Sequence, residues 1–168
     1  MAKREAFVTV KDHKENFEES PKYRLINPAK SELDKVSKVI LDEINSKIRS
    51  STAFSQWRDS QSVIQWFKRI ENKATSSFLS FDIAEFYPSI TENLLDKAIN
   101  WAQKFTTITN QDITFSKHAR SSLVFNDAKP WIKRSSQSML DVTMGSFDGA
   151  EICELVGLFI LNTSAMFG

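Results

Sequence analysis

Asp82 and Tyr87 stand five residues apart in the run FLSFDIAEFYPSI, residues 78–90. The acid follows the apolar residues Phe78, Leu79 and Phe81, which predicts a buried strand over 77–83 with Asp82 near its end. A carboxylate fixed at the rim of a sheet is a hard-oxygen ligand suited to Mg²⁺, and the backbone carbonyl of Ile83 is a second donor of that kind. Pro88 and a helix cap expected at Ser89 turn the chain, so that Tyr87 can fold back toward the acid. The same residues also have a plain structural reading, in which Asp82 caps a turn and Tyr87 joins the core. Residue type and spacing leave both readings open.

Other elements must position these groups. AFVTV (6–10) and KYRLINP (22–28) predict two short strands joined by the charged loop KDHKENFEESPK. SELDKVSKVILDEINSKIRS predicts a helix with Leu33, Val36, Val39, Ile40, Ile44 and Ile48 on its buried side and a capping box of Ser31 with Asp34. A second helix is expected over 60–70. A third follows Ser89, where Ser89 and Glu92 fit the S-x-x-E start, and Leu94, Leu95, Ala98, Ile99, Ala102 and Phe105 line its buried side. A helix capped by Thr109, two strands around NDAK and a buried helix over 147–161 complete an α+β order with no internal repeat.

The chain has 168 residues, 41% of them hydrophobic, which suffices for one domain with its own core. Its formal net charge of +1 excludes a globally basic nucleic-acid binder, so any basic surface must be a local patch. A single cysteine, Cys153, excludes an internal disulfide and points to a reducing compartment. The N-terminus lacks a signal-like apolar stretch and the apolar tail is shorter than a membrane span, so an intracellular site, cytoplasmic or nuclear, with no membrane partner is expected. His13 and His118 read as surface residues, and Cys153, Trp66 and Trp101 as core. Trp57 in FSQWRDSQ reads as a loop aromatic, the best of the four tryptophans for a nucleic-acid contact.

FLSFDIAEFYPSI resembles motif A of reverse transcriptases (RNA-directed DNA polymerases). That resemblance implies that Asp82 binds catalytic Mg²⁺ and that Tyr87 is a steric gate, whose ring leaves no room for a ribose 2′-hydroxyl and so selects deoxynucleotides. FVTVKDHKENFEESPKYRLINP (7–28) is similar to the fingers of these enzymes, those of Penelope-like and related retroelements above all. It implies that Arg24, with Lys11 or Lys14, holds the incoming triphosphate, a task that suits a forked guanidinium and a point charge. VTMGSFDGAEICELVGLFIL (142–161) is similar to motif B, with Met144, Gly145 and Ser146 as its glycine turn against the nucleotide. FDGAE stands where that motif has a proline-rich continuation. The three stretches occur in family order and imply reverse-transcriptase-like fingers over about residues 1–75 and a partial palm over about 76–168.

Polymerase chemistry needs two metal ions roughly 3.5–4 Å apart, held by carboxylates from two strands. The family's second strand carries adjacent aspartates after motif B, and this sequence has no Asp-Asp pair. Asp141, Asp148, Glu151 and Glu154 do not replace it. The expectation is therefore a chain that does not polymerise DNA by itself and binds a primer–template and a deoxynucleotide by lineage. The alternatives are a non-catalytic nucleic-acid-binding module and an interaction domain that forms homo-oligomers through an open palm edge.

Overall fold

Ser31 opens the longest helix of the chain by a reciprocal cap. Its hydroxyl accepts from Asp34 N at 3.1 Å, and its own N–H donates to the Asp34 carboxylate at 2.7 Å. The helix that follows, α1, runs Glu32–Ser51. The computed structural model describes residues 6–12, 17–28, 30–52, 57, 59–77, 80, 82–120, 124–126, 129–131 and 142–165. Among these lie strands β1 (Phe7–Val10) and β2 (Tyr23–Ile26) and helices α2 (Ser60–Arg69), α3 (Phe86–Ser89), α4 (Glu92–Ala102), α5 (Asn110–Arg120) and α6 (Gly149–Ala165). Strands β3 (Val124–Asn126) and β4 (Lys129–Trp131) form a separate antiparallel pair. The fold is thus mixed, helices with two two-stranded antiparallel sheets. No described helix is long and apolar enough to cross a membrane.

The core lies where α1 packs on α5 and α6, and α4 on α6. Leu41 and Ile48 of α1, Leu95 and Ala98 of α4, and Ile152 and Leu155 of α6 have no exposed surface. Ala98 and Ala102 let α4 approach α6 closely, and Trp101 fills the gap beside them with its ring 5.0 Å from Phe105 and 5.9 Å from Phe159.

Three expectations need correction. The buried side of α1 is centred on Ser37, Leu41, Ile44, Asn45 and Ile48, whereas Val36 and Val39 are exposed. The cause is a polar seam. Ser37 Oγ donates to Asp148 Oδ2 at 2.5 Å and Asn45 Nδ2 to the Glu151 carbonyl at 2.9 Å, while Lys38 pairs with Glu151 and Arg49 with Glu154. These bonds turn the helix so that small polar residues, not Val36 and Val39, face α6. Secondly, α4 is capped by Thr91, whose hydroxyl accepts from Leu94 N at 3.2 Å. Ser89 instead ends α3 and donates to the Phe86 carbonyl. Thirdly, the strand expected over 77–83 is not seen at Ser77, Ser80, Asp82 or Ile83, and Phe78, Leu79 and Phe81 lie outside the described residues. The caps at Ser31 and Thr109, the β1–β2 pairing and the β3–β4 pairing follow the sequence pattern.

The seam, together with an ion pair between α5 and α4, also sets the response to alkali. Desolvation lowers the pKa of Lys38, but the hydrogen bond and charge of Glu151, helped by Asp42, outweigh it and raise the ammonium above its ordinary 10.5. Lys117 is raised as well, chiefly by its bond to Glu92 and then by Asp96. A cation whose folded pKa exceeds its unfolded one stabilises fully below the unfolded value and ceases to do so as pH rises through the folded one. Unfolding free energy measured by urea from about pH 9 to about pH 11.5 is expected to fall at the alkaline end, and Lys38→Met to reduce that slope. For the helix face, Leu41→Ala is expected to cost about 2–5 kcal/mol and Val39→Ala less than about 0.5 kcal/mol in the same titration. Equal losses would mean that α1 presents a different side to the core.

Candidate nucleotide cradle

β1 and β2 pair in the register Phe7↔Ile26, Val8↔Leu25, Thr9↔Arg24 and Val10↔Tyr23. Alternation puts Phe7, Thr9, Arg24 and Ile26 on one face, and Val8, Val10, Tyr23 and Leu25 on the other. Lys11 N donates to the Lys22 carbonyl at 2.8 Å, so the pairing continues one step and places Lys11 and Lys22 on the Arg24 face. Sequence reasoning singled out Lys11 and Arg24 but passed over Lys22. Its spacing of two from Arg24 in a strand was the available signal.

The ribbon face that carries these cations ends at the glycine turn. Ile26 forms a parallel bridge with Met144, and Asn27 N donates to the Met144 carbonyl at 2.9 Å. Gly145 has φ +89, and a Cβ there would lie 3.0 Å from Ile26 Cγ2 and 3.2 Å from the Asn27 carbonyl oxygen. Both the left-handed backbone and the close approach therefore require glycine. Ser146 N donates back to the Thr143 carbonyl at 3.2 Å, and the Asp148 carbonyl accepts the first helical bond of α6, from Ile152 N. Lys30 Nζ lies 5.2 Å from the centroid of the Phe147 ring, a second link between the end of the hairpin and the turn that the sequence did not flag.

Tyr87 reaches the same helix start from α3. Its Cε1 would be 3.5 Å from a Cβ at Gly149, and its hydroxyl faces the Cys153 thiol one turn further along α6. Burial, then the thiol and the Glu151 carboxylate, raise the phenol pKa above 10.0. Cys153 is partly buried here, in keeping with a small packing residue.

Between Asp82 and α3 the chain turns through Glu85, which has φ 50, the left-handed region that a residue other than glycine seldom occupies. Asp82 and Ile83 are exposed ahead of that turn and make no hydrogen bond or ion pair among the described residues. The structure thus places Met144, Gly145 and Tyr87 about the start of α6, sets the exposed Arg24 two residues before the Ile26 bridge with Lys11 further along the ribbon, and leaves Asp82 and Ile83 exposed. Lys14 lies outside the described residues. No group of three or more His, Cys, Asp or Glu able to hold a metal ion occurs among the described residues. Asp82 alone does not meet the demand for two Mg²⁺ ions, so no metal-dependent step is assigned to these residues. Asp148, Glu151 and Glu154 are committed to the seam with α1. A scan of protein-family models, a search of curated proteins and a search of solved structures each found no match.

What this arrangement can do is present charge to an anion. Three ribbon cations share one face of the hairpin, and the space a side chain would take at Gly145 is filled by Ile26 and the Asn27 carbonyl. Gly145→Ala is expected to destabilise the chain by about 1–2 kcal/mol from the left-handed backbone alone, with more from the Ile26 contact. A thermal melt unchanged by that substitution would exclude the turn geometry described.

Proposed function

We propose that the chain comprises the fingers and part of the palm of a reverse-transcriptase-like polymerase, and that its hairpin and glycine turn form a cradle for a deoxynucleoside triphosphate. One observation carries this reading. The ribbon face bearing Arg24, Lys22 and Lys11 runs through Ile26 onto Gly145, so the two stretches expected to contact the nucleotide meet at a backbone bridge. Tyr87 adds an aromatic ring at the same helix start, where a gate against a 2′-hydroxyl would be needed.

In this reading Arg24 forks onto phosphate oxygens, Lys11 and Lys22 supply further charge, and the Met144–Gly145 backbone backs the base or sugar. Asp82 belongs to a metal site that the described residues do not complete, so the cradle binds without turning over. Calorimetric titration with dTTP at low salt is expected to show binding that Arg24→Ala weakens by at least about tenfold, as loss of a charged hydrogen bond implies. Tyr87→Ala should narrow the preference for dTTP over UTP, and the unmodified chain should extend no primer. Binding of dTTP that is indifferent to Arg24 would overturn the assignment.

A further inference from the structure

The core formed by the described residues makes no use of α2. Asp59 caps this helix by accepting from Ser62 N at 2.7 Å, and Val63, Ile64, Trp66, Phe67 and Ile70 give it an apolar side, yet none of its residues is buried. Phe67 is 52% exposed. Trp57, 43% exposed, sets its ring 4.7 Å from that of Trp66, tilted by 52°. Cations gather at the same end. Lys68 and Arg69 occupy the last turn, and Lys73 Nζ donates to the Lys68 carbonyl at 3.2 Å while lying 5.6 Å from the Phe67 ring centroid. Residues 57–73 contain four Lys and Arg against two Asp and Glu, a balance of +2, whereas the whole chain carries only +1.

We propose that this face binds single-stranded nucleic acid, with bases stacked on Trp57 and Phe67 and phosphates held by Lys68 and Lys73. A protein partner of purely apolar character gains nothing from ammonium groups beside its contact rings. A nucleotide presents a flat π face with an anion attached next to it, which matches exposed rings with ammonium groups close by, one of them over a face of Phe67. The local positive balance in an otherwise neutral chain selects a polyanion in the same way. The site rests on the polymerase-like assignment only for the class of partner, because none of its residues belongs to the cradle.

The test is fluorescence anisotropy of labelled oligo(dT) with the full chain, without added Mg²⁺, over a range of salt. Trp57→Ala and Phe67→Ala are each expected to weaken binding about tenfold. Lys68→Ala with Lys73→Ala should lower the salt slope by about two. Because these side chains are outside the core, circular dichroism should be unchanged. Arg24→Ala should leave oligonucleotide binding as it was, although it weakens dTTP binding. Oligonucleotide binding insensitive to the ring variants would overturn the site while leaving the cradle standing. So would phosphatidylserine vesicles that bind through these residues where oligo(dT) does not, or a Phe67-dependent dimer in light scattering. Failure of dTTP binding with α2-dependent oligo(dT) binding would remove the cradle and keep the site.

Discussion

The carboxylate of Asp148 is fully buried at the point where α6 begins, and the Ser37 hydroxyl, 111 residues earlier, donates to it over 2.5 Å. A buried carboxylate is strongly unfavourable unless donors surround it, so this bond fixes how α1 and α6 meet. The start of α6 also favours a negative charge through its helix dipole. Everything in the cradle hangs from that end of the helix. The glycine turn leads into it, Tyr87 leans on its first two turns, and the Met144 backbone holds the hairpin. Lys38 with Glu151 and Arg49 with Glu154 continue the seam for two further turns, so α6 can neither slide nor rotate on α1 without stranding a charge.

Local signals were read well where a single residue type decides the outcome. The Ser31–Asp34 box and the Thr109 cap are visible in the sequence, and the structure adds Asp112 as the partner of Thr109. The β1–β2 pairing follows from two short apolar runs on either side of a charged loop. Facing was harder. In α1 the apolar residues include Val36 and Val39, and hydrophobicity alone turns the helix toward them. The true face was decided by Asp148 and Glu151, residues a hundred positions away whose partners no local pattern shows. Trp66 failed for a related reason. The periodicity of α2 is that of a helix with a core side, but no described core closes over it, and the ring pairs with Trp57 instead.

The site was legible in part. Tyr87 was marked by its spacing from Asp82, Arg24 and Gly145 by the resemblance of their stretches to reverse-transcriptase motifs, and Gly145 does hold a backbone that only glycine tolerates well. Lys22 was passed over because it also closes the charged loop; its spacing of two from Arg24 already put it on that face, and the register bears this out. The left-handed Glu85 was beyond sequence reasoning, since glutamate carries no preference for that conformation.

A two-stranded ribbon is marginal when it stands alone, because half of its backbone groups face water and one of its faces lacks a core. Here the face with Val8, Val10 and Tyr23 is open to solvent, so the ribbon gains little from burial on that side. What holds its orientation is the far end, where Ile26 bridges Met144 and packs against the side-chain-free Gly145. Cation position and turn geometry are therefore coupled. A side chain at 145 would displace Ile26, and with it Arg24 two residues earlier on the same face.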